Sequence, residues 1–184
     1  ASGSISLPTY FETVSGYGGE GDHPYTQLDG GDILSDVHLG RLSVSSTSEL
    51  ETVVAKTLRY EGTPNLSDPE WFTRGALVGD PGSSGYSTIQ TMQWMKTRMR
   101  QIGYTQIDTI FQSPWVSQMT TALNRGDNVF SYRGYLGMSG WGNSNTMSLT
   151  NVDKLHFACI STCGTGSFAS GTAHSEAFLR AGNA

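Results

Sequence analysis

Apolar and polar positions alternate along this chain in blocks that predict strands and helices in turn. In "STSELETVVAKTLRYEG", 46–62, Leu50, Val53, Val54 and Leu58 fall on one helical face, with Ser46 or Thr47 as cap. "STIQTMQWMKTRMRQIG", 87–103, is the clearest helix. Ser87 caps it, Gln90 completes a capping box and Gly103 stops it; Ile89, Met92, Met95, Met99 and Ile102 line its inner face. The methionines are read as core packing. A third helix, "SPWVSQMTTALNRGDN", 113–128, has Ser113 as cap, Pro114 at its first position and Gly126 past its end. "SEAFLRAG", 175–182, starts a last one.

Short apolar runs separate these helices. "DVHLGRLSV", "GALVGD", "YTQIDTIF", "NVFSY" and "KLHFACIST" each read as a strand. Strands alternating with helices predict an α/β domain, with a mainly parallel sheet flanked by helices. Such sheets hold ligands beyond the C-terminal ends of their strands. Two of those ends carry Gly-rich loops, "YRGYLGMSGWG" at 132–142 and "CGTGSF" at 163–168.

Composition narrows the function. The chain has 184 residues and a formal net charge of −5, without a basic run, which excludes a nucleic-acid partner. No apolar run reaches the length of a membrane span, and "ASGSISLPTYF" lacks the regions of a signal peptide. Residues 1–36 form a Gly/Asp-rich loop segment. Its carboxylates Asp22, Asp29, Asp32 and Asp36 are oxygen ligands suited to calcium, though not at EF-hand spacing, and a solvated acidic loop is the alternative. No cofactor is required.

The two cysteines, Cys159 and Cys163, cannot pair if both lie along a strand, because four residues span about 13 Å and a disulfide needs Cα atoms within about 7 Å. Cys159 sits inside an apolar run and reads as core. Cys163 sits where glycines begin, so a sharp turn can set backbone amides beside its sulfur; a bland loop cysteine is the alternative. A metal site of His156, Cys159 and Cys163 is disfavoured, since alternation points His156 away from both sulfurs. His38 and His156 read as strand packing. His23 and His174, in a loop and near a helix start, read as surface or capping residues within reach of a site.

"LTNVDKLHFACISTCGTGSFASGTAHSEAFLRA" resembles the nucleophile segment of the gingipain family, secreted bacterial cysteine peptidases of caspase-like fold. Cys163, Gly164, Thr165, Gly166 and Phe168 follow its Cys-x-[Thr/Asn]-Gly-x-Phe pattern, and Glu176 to Ala181 its helix. The Gly-Arg segment around Arg41, "ALVGD" and "NVFSYRGYLGMSGWG" occur in the family's order. The resemblance implies a three-layer sandwich spanning 1–184 as one catalytic-type (sub)domain, incomplete here and part of a longer precursor. Its partner is then the rest of that precursor or another subunit, its location extracellular or cell-surface, and its substrate a peptide or protein.

It also implies roles. Cys163 takes the nucleophile position, with the Cys163 and Leu136 amides as oxyanion donors. Tyr135 stands where the family has its dyad histidine. Arg133, Trp141, Ser83 and Ser161 are pocket candidates. The loop after Asp80, "PGSSGYS", has no acid, and Arg133 is a cation, so an acidic or polar side chain suits this pocket better than a basic one. Three readings stay open: a weak or inactive peptidase, an active one with another base, and a non-catalytic binding or structural module.

Overall fold

A computed structural model describes residues 7–14 and 16–182. Four parallel strands make its central sheet: β3 (Arg74–Gly79), β4 (Gln106–Ile110), β5 (Val129–Arg133) and β6 (Phe157–Ser161), in the order β4-β3-β5-β6. Helix α2 (Ser87–Gln101) covers one face through Met92 and Met99, which pack on Leu77 and Ile107. At Gly75 the helix comes close: a Cβ there would lie 2.7 Å from Met99 Cε, so the methionine would have to shift. On the other face Met119, Ala122 and Leu123 of α3 (Trp115–Arg125) pack on Ala76, Val78, Phe130 and Tyr132. Helix α5 (His174–Arg180) closes that face, with Phe178 5.8 Å from Phe130, centroid to centroid. Helix α1 (Thr47–Gly62) lies against α5, where Lys56 Nζ donates to the carbonyls of Phe178, Leu179 and Ala181 at 3.0, 3.0 and 2.8 Å.

Several local expectations change. The segment 1–36 is not only loop: Tyr10–Val14 (β1) and Tyr17–Gly21 (β2) form an antiparallel hairpin. "DVHLGRLSV" forms no strand and joins neither sheet; its Arg41 and Ser43 are held by side-chain bonds instead. A short α4 (Asn143–Met147) occupies what reads as loop. Ser87 and Ser113 do not cap. Tyr86 and Pro114 stand at the N-caps without side-chain bonds, whereas Ser46 does cap α1 through Glu49 N at 3.2 Å. On α1 only Val53 of the apolar stripe is buried, and Ile102, the C-cap of α2, is exposed.

Cys159 corrects the reading of a core thiol: it is exposed. In the β5–β6 register it faces Ser131, while its neighbours Ala158 and Ile160 turn into the core beside Phe130 and Tyr132. Period-two alternation therefore sends Cys159 and Phe157 to the face where α2 lies over β3 and β4 but not β6. Phe157 stays 68% exposed there.

His156 lies one residue before β6, with Phe130 and Phe178 at its edges and its Nδ1 buried without a partner. Burial, with Lys56 nearby, lowers its pKa to about 4. The unfolded chain takes up this proton near 6.5, so the stability held above that pH is lost as pH falls toward 4. The drop is about 3 kcal/mol. His156→Leu is expected to remove this part of the pH dependence: urea unfolding of the two proteins at pH 7 and pH 4 should give a difference of that size, since other groups titrate alike in both.

Candidate functional site

The two Gly-rich loops leave neighbouring strands, because β5 and β6 are adjacent and parallel. Gly137 N donates to Cys163 O at 2.8 Å, so the loops touch at Cys163 itself. A Cβ on Gly164 would sit 3.4 Å from Leu136 Cδ1. Leu136 has φ 39° and Gly137 φ 79°, a left-handed pair that reverses the chain just after Tyr135. Tyr135, Leu136 and Cys163 are all exposed. Neither the Cys163 nor the Leu136 amide has a hydrogen-bond partner among the described residues.

The first loop is shaped from below by Asp80, at the end of β3. Its carboxylate accepts from Tyr132 Oη at 3.2 Å, from Gly82 N at 2.8 Å and from Ser139 Oγ. Tyr132 Oη in turn accepts from Ser139 N at 2.9 Å, and burial pushes this phenol's pKa up. Gly134 must be glycine, since a Cβ there would meet the Tyr132 ring at 2.8 Å. Asp80 is thus a supporting residue that sequence reasoning noted only as the end of a strand. An acid closing a buried strand was the signal for it.

The second loop is held at three points. Thr165 is buried, and its carbonyl accepts from Ser175 N at 3.0 Å, tying the turn to the start of α5. Glu20 of the hairpin accepts from Ala169 N at 2.9 Å, which lowers the Glu20 pKa. The Arg41 guanidinium lies 5.1 Å over the Phe168 ring. Arg41 also grips Asp22 with Nε and Nη2, both at 2.6 Å, and that bond holds the Asp22 carboxyl below the usual range. The Gly-Arg element therefore braces the turn after Cys163, a role that no local pattern announces because its partners lie far along the chain.

The other candidates separate. Arg133 ends β5, opposite Gly79 on one side and Ser161 on the other. Its Nε is buried without a partner, and Arg133 makes no ion pair among the described residues. Ser161 is exposed beside it. Ser83, also exposed, sits in the turn after β3 with φ 58°. Trp141 is no pocket wall: it is 3% exposed, packed in the core, and its Nε1 donates to buried Thr146 Oγ1 at 2.9 Å. The Met138–Trp141 bridge folds the loop back and turns the indole inward. His174 Nε2 donates to Trp141 O at 3.0 Å and His23 Nε2 to Ile33 O at 2.9 Å, which fits their reading as surface or capping residues.

The acidic segment does not gather around a cation. Asp22 is engaged by Arg41, Asp36 accepts from the Leu28 and Asp29 amides, and Asp32 from Leu34 N. Among the described residues no three His, Cys, Asp or Glu side chains converge as a metal ion would require. A cleft of ≈ 620 Å³ is lined by α1, α5 and His156 to Phe157 at the other end of β6, and contains neither Cys163 nor Tyr135. The loop geometry, not that cleft, marks the site. The two loops carry a thiol, a phenol and two backbone donors, and Arg133 ends the strand that leads into the first of them.

The profile of Peptidase family C25 matches residues 3–184. Gingipain R2 of Porphyromonas gingivalis is 29% identical over 173 residues, covering 87% of this chain and 23% of that protein. Lys-gingipain W83 of the same species is 26% identical over 155 residues, 78% of this chain and 9% of that one. The crystal structure of the Arg specific cysteine proteinase gingipain R superposes with a TM-score of 0.80 at 26% identity, over 90% of this chain and 41% of that chain. A complex of Porphyromonas gingivalis RgpB pro- and mature domains gives 0.80 at 26%, over 89% and 41%. The chain thus spans well under half the length of these relatives.

Proposed function

The chain belongs to peptidase family C25, and on that premise we propose that it carries a gingipain-type cysteine-peptidase site with the thiol kept at Cys163 and the basic partner replaced by Tyr135. The bond from Gly137 N to Cys163 O carries this reading, because it brings the Tyr135 loop onto the candidate nucleophile. In the reaction, Cys163 Sγ would attack the scissile carbonyl carbon. A C–S bond forms, the carbonyl π pair moves to oxygen, and the Cys163 and Leu136 amides receive that oxyanion. The thiol proton must first leave, and the departing amine must gain one. A phenol is a poorer general base than an imidazole and cannot carry its positive charge, so it serves both transfers poorly. Peptidase activity is therefore weak or absent in this reading.

A binding or structural role in an extracellular or cell-surface assembly is the second reading, supported by the uncovered outer face of β6 with Phe157. Kinship with the gingipains supports that location, and no helix among the described residues is long and apolar enough to cross a membrane. A partner drawn from the same precursor fits both the open face and the solved complex of pro- and mature domains. Calcium has no part in this reading. A thiol-reactive peptide probe tests the site. Cys159 and Cys163 are both exposed, so access alone does not favour either. Sluggish labelling of Cys163, near the rate at Cys159, supports the weak site; rapid and selective labelling of Cys163 means that another base activates it.

A further inference from the structure

We propose that Arg133 selects what this site binds, and that the group it takes is the carboxylate of an acidic peptide side chain. The inference rests on the reading of Cys163 as the nucleophile position.

Alternation along β5 fixes the direction of the Arg133 side chain. Phe130 and Tyr132 are buried on the α3 side, so Val129, Ser131 and Arg133 face the α2 side. Arg133 is the last residue of the strand, at the end where ligands of parallel sheets bind. On one flank its register partner is Gly79, which has no side chain; on the other it is Ser161, an exposed hydroxyl two residues before Cys163. Arg133 therefore lies on the strand next to the one that leads into Cys163, at the same end of the sheet.

Among the described residues no acid pairs with this cation. Asp80, which follows its register partner Gly79, turns to the opposite face, where Tyr132, Ser139 and Gly82 engage it. The turn from Pro81 to Ser87 has no acidic residue. Arg133 keeps a buried Nε–H without an acceptor and a guanidinium without an ion pair among the described residues. A guanidinium is planar and offers a two-toothed fork that matches a carboxylate. A bound Asp or Glu side chain would supply the missing acceptor at Nε and the missing charge together. A Lys or Arg side chain would meet a like charge, and an Asn or Gln side chain would satisfy the hydrogen bond alone.

The test uses acetyl-Ala-Ala-Xaa chloromethyl ketones, with Xaa as Asp, Asn or Lys, and mass spectrometry of Cys163. The matching amides, titrated by calorimetry into Cys163→Ala, measure binding without chemistry. The Asp peptide is expected to label Cys163 faster and to bind more tightly than the Asn peptide by about tenfold or more, with Lys weakest. Arg133→Met should bring the Asp:Asn ratio to near one; because both peptides are compared on the same protein, any change in thiol reactivity cancels in that ratio. Equal rates and affinities for Asp and Asn, a preference for Lys, or a preference that survives Arg133→Met would overturn the proposal. Labelling at Cys159 in place of Cys163 would instead overturn the nucleophile position, while calorimetry still decides the role of Arg133.

Discussion

Tyr135→His is expected to speed alkylation of Cys163 at pH 6 by about tenfold or more, with the rate at Cys159 unchanged. The thiolate is the attacking species, and an ordinary thiol is almost wholly protonated at that pH. An imidazolium beside the sulfur stabilises the thiolate, which a neutral phenol cannot do. The two loops already touch. Tyr135 is exposed, the backbone turns at Leu136 and Gly137, and Gly137 bonds to the Cys163 carbonyl. A histidine at 135 introduces no buried polar group, so the variant should fold. The check is a pH–rate profile with iodoacetamide, read separately at both cysteines. An unchanged Cys163 profile would mean that position 135 does not face the sulfur.

Trp141→Ala is expected to cost about 3–5 kcal/mol of stability. The indole is 3% exposed and packs in the cluster that includes Phe130, Tyr132 and Met138. Truncation would open a cavity there and leave Thr146 Oγ1 without its donor in a buried setting. The same change should loosen the loop that carries Tyr135, because Trp141 N bonds to Met138 O and Trp141 O accepts from His174. Urea unfolding measures the first effect, and hydrogen exchange of residues 133–142 the second. A variant of normal stability would return Trp141 to the wall of a pocket.

The sheet was legible because its strands are short apolar runs between well-punctuated helices. "ALVGD" and "NVFSY" needed only their period and their end-signals to be placed, and Gly126, at φ 94°, stops α3 where expected. What escaped depended on partners remote in sequence. "DVHLGRLSV" has a strand's composition, yet no strand lies beside it; Arg41 is fixed instead by Asp22 and Phe168. The hairpin Tyr10–Gly21 was hidden by glycines, which weaken any strand signal. Cys159 looked buried because all of "LHFACI" is apolar, and an apolar run does not reveal that α2 stops short of β6.

The site divides in the same way. Resemblance placed Cys163 and Tyr135 on two loops, and the loops are joined by the Gly137–Cys163 bond. The isolated guanidinium of Arg133 was only half visible. Its charge is in the sequence, whereas the burial of its Nε and the turning away of Asp80 require coordinates. The inward turn of Trp141 likewise depends on the Met138 bridge, which a Gly-rich loop does not announce.

Hydrolysis of a peptide library by the unaltered chain, compared with Cys163→Ala under reducing conditions at pH 7, tests the central claim most directly. The proposed site, with Tyr135 in place of a basic partner, predicts equal, background cleavage by both proteins. Robust cleavage that disappears in Cys163→Ala would contradict it and show that another group takes the thiol proton.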